Sequence, residues 1–383
     1  TDFTLRRLSM RSFTRLTAIP ILATLVLAGC GQAAPPAASS SAGSASAAAQ
    51  TAKQSSPEVE RLLAAAKAAG ETELDLSGTD TLDIKGFDAL FNRMYGTNIK
   101  VKFTPFSSMT AMATKVGQEV AAGQTSSTDV LVGAESTLSA IYDRNVLEAY
   151  DYTTLSPRID KKLMLPNQTA VEFSSRFPSI SYNNTRLKEA DAPKKLTDLA
   201  DPKWKGKVAV KSDELATAAL LPNWGVDAMK AFAVKMAQND TGLLNCGDHA
   251  RVVTGEFLMF LDCGSYSAQQ LAKNGAPLAT VIPEDAPLAS FWYLGVPRTS
   301  AHPNLGKLWI SMVLSEEGQR IFFAAYGTDD YDLPGSQSVA ELAQLKAKGI
   351  EPLRVDAIFL KDHPEHPRIS SEIEQILRVG AKS

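Results

Sequence analysis

The sequence lacks the features of nucleic-acid-binding proteins, integral membrane proteins and the common enzyme motif classes. Of its 383 residues, 39 are Lys or Arg and 42 are Asp or Glu, so the formal charge is −3 and no basic footprint for phosphate is indicated. No G-x-S-x-G, H-E-x-x-H or P-loop motif occurs, and no G-x-G-x-x-G follows a predicted strand. With 44% hydrophobic and 21% charged residues, the chain is suited to two globular domains rather than to a membrane bundle. We therefore expect neither a nucleic-acid partner nor catalysis.

The N-terminal region carries an export pattern. Four Arg between positions 6 and 15 precede an apolar stretch from Ile19 to Leu27, which is shorter than the roughly 20 residues of a membrane-spanning helix. The stretch ends in Leu27-Ala28-Gly29-Cys30, which resembles the lipobox of bacterial lipoproteins. The resemblance implies that residues 1–29 are a signal peptide and that Cys30 becomes lipidated. The protein is then exported and held at the cell envelope only through its lipid anchor.

A low-complexity segment follows Cys30. From Gly31 to Ser56 the chain is almost wholly Ala, Ser, Gly, Gln and Pro, with Lys53 as its one charged residue. Such a composition has too little apolar surface to offset the entropy of ordering, so residues 30–56 are predicted to be a flexible linker.

The remaining sequence predicts an α/β fold, because strand patterns alternate with helix patterns. In the first unit, a helix begins at Ser56 and Pro57 and ends at Gly70, with Leu62, Leu63 and Ala66 on one face. The elements that follow are Thr72–Leu76 (strand), Asp83–Met94 (helix), Ile99–Phe103 (strand), Met109–Ala121 (helix) and Asp129–Val132 (strand). The second unit comprises Lys207–Val210 (strand), a helix capped by Ser212 or Asp213, Met229–Gln238 (helix), Glu256–Leu261 (strand), the segments Thr280–Pro283 and Phe291–Val296, and one long helix over Leu305–Ala325. In such sheets, ligands bind beyond the carboxyl ends of the strands.

Several short stretches, taken together over residues 72–360, resemble a known family. They are Ser181-Tyr182-Asn183, Leu196-Thr197-Asp198-Leu199, the run from Asp201 to Val208, Gly255-Glu256, Gly275-Ala276-Pro277, Ala301-His302-Pro303-Asn304 and the run from Leu314 to Gln319. Their order and spacing resemble the extracellular solute-binding proteins of ABC importers, in the branch that includes ferric-ion-binding proteins.

The resemblance implies a two-lobed type 2 periplasmic-binding-protein fold with mixed, mostly parallel sheets. Two crossover hinge strands, near Val171–Tyr182 and Val281–Tyr293, would join a first lobe of residues 57–175 with 291–383 to a second lobe of residues 176–290. The lobes would close on a small-molecule ligand by hinge bending, and an ABC permease would recognise the loaded form. A monomer without a cofactor is expected.

Candidate ligand-binding residues lie at strand ends and crossovers. The aromatic candidates are Phe106, Trp224, Tyr266, Trp292 and Tyr293, and the polar candidates are Ser77, Thr79, Ser107, Glu135 and Ser212. Arg176, on the first crossover, resembles an arginine that iron-binding relatives carry beside the cleft. Its guanidinium fork suits a carboxylate or phosphate, which favours a small anionic organic solute. Alternatively, Arg176 braces the hinge by pairing with an acidic neighbour such as Glu172.

The sequence leaves three alternative functions open. A ferric-ion or metal-chelate binder of the same fold would need the paired tyrosines of iron-binding relatives, whereas the stretch from Asp262 to Ser267 contains only Tyr266. No metal site is therefore predicted, and His363-Pro364-Glu365-His366 is interpreted as a solvated loop. The alternatives of other classes are an exported lipoprotein hydrolase and a structural or adhesive lipoprotein.

The sequence has little cysteine, and each cysteine has a predicted state. With Cys30 assigned to the lipid, Cys246 and Cys263 are left in an oxidising compartment. We predict a disulfide between them, which would stabilise the fold by on the order of 3 kcal/mol in the chain-entropy model.

Overall fold

The computed structural model describes residues 56–79, 86–106 and 108–380, without the side chains of Thr79 and Gly380. The predicted signal peptide (1–29), the lipidation site Cys30, the linker up to residue 55, and the candidate Ser107 lie outside the described residues, as does the side chain of Thr79. Among the helices of the described ranges, none is both long and apolar enough to cross a membrane.

Helices and strands alternate along the chain, as the sequence predicts. The helices are α1 (Pro57–Ala69), α2 (Phe87–Tyr95), α3 (Met109–Ala121), α4 (Glu135–Ile141), α5 (Ser212–Ala218), α6 (Val226–Gln238), α7 (Ala250–Val253), α8 (Tyr266–Lys273), α9 (Pro303–Val313), α10 (Glu316–Tyr326), α11 (Val339–Ala347), α12 (Ala357–Asp362) and α13 (His366–Gly380). The strands are β1 (Glu73–Thr79), β2 (Lys100–Phe106), β3 (Leu131–Ala134), β4 (Val171–Arg176), β5 (Ser179–Asn183), β6 (Val208–Val210), β7 (Gly242–Leu243), β8 (Met259–Asp262), β9 (Leu278–Val281), β10 (Leu288–Gly295) and β11 (Leu353–Val355).

Local capping explains where several helices begin and end. In α1, the Ser56 hydroxyl accepts a hydrogen bond from the Val59 amide, and Gly70 ends the helix in the left-handed conformation (φ 70°). The predicted caps of this helix are confirmed, and α3 has the predicted bounds.

The predicted long helix over 305–325 is wrong, because the chain forms two helices there. The Ser315 hydroxyl accepts a hydrogen bond from the Gly318 amide and begins α10. A Cβ atom on Gly318 would lie 2.1 Å from the Met312 carbonyl oxygen, so the two helices pack closely only because this residue is glycine. The prediction passed over the N-cap signal at Ser315, where six residues without an apolar side chain separate Leu314 from Ile321.

Within the described residues, the strands form three sheets. β1 and β2 form a parallel pair, and a bridge between Leu76 and Val130 links β1 to the segment before β3. A four-stranded sheet has β10 antiparallel to β3 and β4 and parallel to β11. A five-stranded sheet has the order β7-β6-β8-β5-β9, with β5 antiparallel to both of its neighbours. This mixed α/β architecture is the predicted fold class.

The chain passes between the four-stranded and the five-stranded sheet at both predicted crossovers. β4 belongs to the four-stranded sheet, and β5 belongs to the five-stranded sheet only three residues later. In the reverse direction, β9 ends in the five-stranded sheet and β10 begins in the four-stranded sheet after residues 282–287. Residues on β4 and at the strand ends nearby therefore face elements of both sheets.

The C-terminal segment makes a third passage. β11 pairs with β10 in the four-stranded sheet and α12 packs on α4, whereas α13 packs on α5 and α6 beside the five-stranded sheet. Ile369, Ile373 and Leu377 of α13 are fully buried in the same core as Leu215 and Met229. The predicted lobe boundaries stay a prediction, and the last helix packs on elements of the second predicted lobe.

Cys246 and Cys263 lie next to each other. Their Cα atoms are 5.6 Å apart, inside the range for disulfides, and their sulfur atoms are in bonding contact. This geometry supports the predicted disulfide, which links the loop before α7 to the end of β8.

Candidate functional site

Arg176, the last residue of β4, is the centre of a buried polar cluster between the two larger sheets. Its side chain is 12% exposed, and its Nη2 donates a 3.0 Å hydrogen bond to Oε1 of Glu135. Glu135 is the first residue of α4 and follows β3 directly, so it lies where parallel-sheet proteins place ligand-binding groups. The structure thus brings these two candidates together.

The acidic partner of Arg176 is not Glu172, the example that the bracing alternative named. Glu172 points to Arg354, which donates hydrogen bonds to it and, over 3.2 Å, to Asp332. The Arg354 guanidinium also lies 3.8 Å from the centre of the Phe291 ring. The buried carboxyl of Glu172, on the first crossover, is therefore paired with Arg354 and not with Arg176.

Glu214, which the sequence reasoning missed, belongs to the Arg176 cluster. It lies in the first turn of α5, is 7% exposed, and interacts electrostatically with both Arg176 and Glu135. Burial raises the pKa of its carboxyl from 4.5 to about 8, although Arg176 opposes the increase. Like Glu135, it lies in the first turn of the helix that follows a strand, so the strand-end rule applied one residue beyond Asp213 would have found it.

Tyr266 and Trp292 form an aromatic wall beside Arg176. Their ring centres are 6.5 Å apart with a 71° angle between planes, and Trp292 also lies 6.4 Å from Phe173. A Cβ atom on Gly264 would lie 2.8 Å from the Tyr266 ring and 3.3 Å from Cβ of Arg176, so glycine is required for this packing. Burial raises the pKa of the Tyr266 phenol, which disfavours the phenolate that ferric binding uses.

A buried carboxylate supports the loop that carries Tyr266. Asp262 ends β8 and accepts hydrogen bonds from the amides of Gly247 (3.0 Å) and Cys263 (2.8 Å). Its other oxygen lies 3.5 Å from Nε2 of His249, which is also buried. Asp262 therefore ties the segment joined by the two cysteines to the start of α8.

The other polar and aromatic candidates lie at strand ends but form no hydrogen bond with Arg176 in the described residues. Ser77 is buried near the end of β1, and its hydroxyl has no hydrogen-bond partner among the described residues. Ser212 is buried at the start of α5. Phe106 ends β2, is partly exposed, and has the Lys115 ammonium 5.7 Å above its ring.

Tyr293 and Trp224 have framework contacts instead of contacts with the cluster. The Tyr293 side chain is fully buried, and its hydroxyl donates to Glu172 over 3.0 Å and accepts from the Ala357 amide. The Trp224 indole donates to the Asp285 carbonyl over 2.9 Å and packs edge-on against Phe232. The structure does not bring these two candidates together with Arg176.

His366, which the sequence analysis placed in a solvated loop, begins α13 and reaches α5. Its Nε2 lies 3.1 Å from the Thr217 hydroxyl. Burial lowers the pKa of the imidazole, while Asp213 and Glu135 oppose this effect. His366 is thus a partly buried group at the edge of the Arg176 cluster.

Asp129 lies close to His302, but the hydrogen-bonding positions of its carboxylate are already occupied by donors of the protein. Its two oxygens accept from the Asp75 amide, the Ser300 hydroxyl, and the His302 amide and Nδ1, at 2.6–2.9 Å. Asp129 therefore fastens the segment before α9 to β1, and its lone pairs are taken up by the protein.

Comparisons with known proteins agree with this architecture. No curated protein matches the chain. The family described as bacterial extracellular solute-binding protein matches residues 126–349.

Several solved structures share the fold. Iron-bound HitA from Pseudomonas aeruginosa has 19% identity and a TM-score of 0.62, over 79% of this chain and 99% of that one. The substrate-binding protein of an ABC transporter from Agrobacterium tumefaciens has 14% identity and a TM-score of 0.67, over 82% and 96%. AgtB from A. tumefaciens R10, in complex with agropinic acid, has 15% identity and a TM-score of 0.62, over 80% and 99%.

Proposed function

The chain belongs to the bacterial extracellular solute-binding proteins, and from this premise we propose that it binds a small organic solute between two lobes and delivers it to the permease of an ABC importer. The family consists of transport proteins rather than enzymes, so the solute is released chemically unchanged. Export through residues 1–29, anchoring by the lipid on Cys30, and action as a monomer are parts of the same proposal.

The observation that carries the proposal is the position of Arg176. It ends β4, three residues before the chain enters the other large sheet, and its surroundings come from both sides of that passage. Glu135 follows β3 of the four-stranded sheet, whereas Glu214 and Tyr266 lie in the first turns of helices that follow strands of the five-stranded sheet. A guanidinium in this position contacts both lobes when they close.

The solute we propose carries an acidic group that binds Arg176. The Nε of Arg176 is buried and has no hydrogen-bond partner among the described residues. A buried donor without a partner costs about 1–3 kcal/mol, which a carboxylate or phosphate oxygen of the solute would recover. The aromatic wall of Tyr266 and Trp292 would pack against its carbon skeleton.

Capture of a solute from a filtered metabolite extract tests the proposal. Native mass spectrometry is expected to show a one-to-one complex that releases a molecule of unchanged mass, and small-angle scattering is expected to show a more compact protein. Arg176→Ala should lower the affinity about 100-fold, since charge-assisted hydrogen bonds in a buried site are worth about 1.5–3 kcal/mol. Arg378→Ala, at an exposed arginine of α13, is the matched control and should bind normally.

Three results would contradict parts of the proposal. If no small molecule is retained, the protein is not a solute carrier. If the released molecule is chemically altered, the protein is an enzyme. If Arg176→Ala unfolds at lower temperature but retains the solute, Arg176 is a hinge brace.

A further inference from the structure

The Arg176 cluster contains more acidic than basic groups. Glu135 and Glu214 face the single guanidinium, and each residue is only 7% exposed. An anion entering this site would meet Arg176 together with a carboxylate that is already bound to it. A solute that is purely anionic therefore does not complement the cluster.

The hydrogen-bonding capacity of the two carboxyl groups is only partly used. Oε1 of Glu135 accepts from Arg176, but its buried Oε2 has no partner among the described residues. No described residue donates a hydrogen bond to the Glu214 carboxyl. Buried polar atoms are nearly always paired in folded proteins, so the unpaired Oε2 of Glu135, beside a Glu214 carboxyl without a protein donor, indicates donors supplied by a ligand.

We infer that the solute is a small zwitterion, whose cationic nitrogen binds Glu135 and Glu214 while its acidic group binds Arg176. This inference rests on the proposed function and names its substrate class. The solute supplies the donors that the two carboxyl groups lack and the acceptor that Nε of Arg176 lacks. Both of its charges are then compensated at sites where water is excluded.

The protonation state of Glu214 should change when the solute binds. Because burial keeps this carboxyl largely protonated near pH 7, a cationic nitrogen would favour its ionised form. The proton leaves for the solvent, and the ammonium takes its place as the partner of the carboxylate. Binding at pH 7 should therefore release a proton.

Four five-carbon molecules of different charge test the inference. They are 5-aminopentanoate (zwitterion), glutarate (dianion), 1,5-diaminopentane (dication) and pentanoate (monoanion), each added at the same millimolar concentration while the melting temperature is recorded. We expect 5-aminopentanoate to stabilise the protein most. Calorimetry in buffers of different ionisation enthalpy should show proton release with this molecule.

Conservative variants assign the effect to the two carboxyl groups. Glu214→Gln and Glu135→Gln keep the side-chain shape and should each weaken the binding of 5-aminopentanoate about 10- to 100-fold. Glu214→Gln should also abolish proton release. Glu374→Gln, at an exposed glutamate of α13, is the matched control and should change neither quantity.

The inference is overturned if glutarate or the diamine stabilises the protein more than 5-aminopentanoate, if all four or none stabilise it, or if Glu214→Gln binds as the wild type does. Its failure is distinct from that of the proposed function. A metabolite that closes the protein but contains no cationic nitrogen refutes the zwitterion and leaves solute transport intact.

Discussion

Replacing Glu214 with Gln should make the stability of the ligand-free protein less dependent on pH. The folded protein holds the pKa of Glu214 at about 8, against 4.5 for the free group, mainly because the carboxyl is buried. Between these two values the folded state binds more protons than the unfolded state, so the free energy of unfolding falls as pH rises. The contribution of the neutral carboxyl is complete below pH 4.5 and is lost as pH passes 8.

The size of the effect follows from the pKa values. Each pKa unit corresponds to about 1.4 kcal/mol, so the full difference sets an upper limit of about 5 kcal/mol. This pKa already includes the opposing effect of Arg176, and Glu214 is 7% exposed, so that water reaches part of the site; we therefore expect about 2–3 kcal/mol between pH 5 and pH 8.5. For a protein of this size, that corresponds to roughly 3–4 °C in melting temperature.

The assay compares urea unfolding of the wild type and Glu214→Gln at several pH values. Glu172 and Asp330 are also buried, with pKa values raised to about 8 and about 7, and they weaken both proteins as pH rises. Their effect cancels in the difference between the two curves. We expect equal stability near pH 5 and a variant that is more stable by about 2–3 kcal/mol at pH 8.5.

Parallel curves for the two proteins would refute the reasoning. They would mean that Glu214 is ionised in the folded state, either because water solvates it or because Arg176 pairs with it. Electrostatics would then give no reason to expect a cationic partner for Glu214.

Four further predictions concern the surroundings of the site. Arg354→Met should lower the free energy of unfolding by about 3 kcal/mol in urea titrations at pH 9, where the buried Glu172 is ionised and loses its cation; a loss below about 0.5 kcal/mol at that pH would contradict this role. Mass spectrometry after alkylation without reductant should find no free thiol at Cys246 or Cys263, and two alkylated cysteines would disprove the disulfide. Trp292→Ala should remove the fluorescence change on solute binding, and an unchanged signal would place the solute elsewhere. Ferric citrate should produce no visible charge-transfer band, because the cluster offers a single, buried tyrosine; such a band would restore the ferric alternative.

Local features of the fold could be predicted from the sequence because they depend on near neighbours. The caps of α1 and the bounds of α3 follow from Ser, Pro and Gly at defined positions. The division between α9 and α10 was missed although Ser315 and the two glutamates after it form an N-cap signal, whereas the tight contact of Gly318 is visible only in three dimensions.

Glu135 and Arg176 could be chosen as candidates from the sequence, but their contact with each other could not be predicted. The rule that ligands lie beyond strand ends pointed to Glu135 and the crossover pointed to Arg176, but their contact joins residues 41 positions apart. Proximity in sequence suggested Glu172 instead. Tyr293 and Trp292 are neighbours on β10, yet Tyr293 is fully buried and Trp292 is partly exposed, a difference that composition alone does not give.

Because the chain passes a third time between the two larger sheets, its first and last described helices lie beside different sheets. The helix α1 packs against α9, next to β1 and the four-stranded sheet, whereas α13 is built into the core of α5 and α6. A donor dye on the exposed surface of α1 and an acceptor on that of α13 would thus lie beside different sheets, although the predicted lobe boundaries place both helices in the first lobe. Under the proposed closure, solute binding would change the energy transfer between the two dyes. Labelling α1 and α13 would therefore make a fluorescent biosensor.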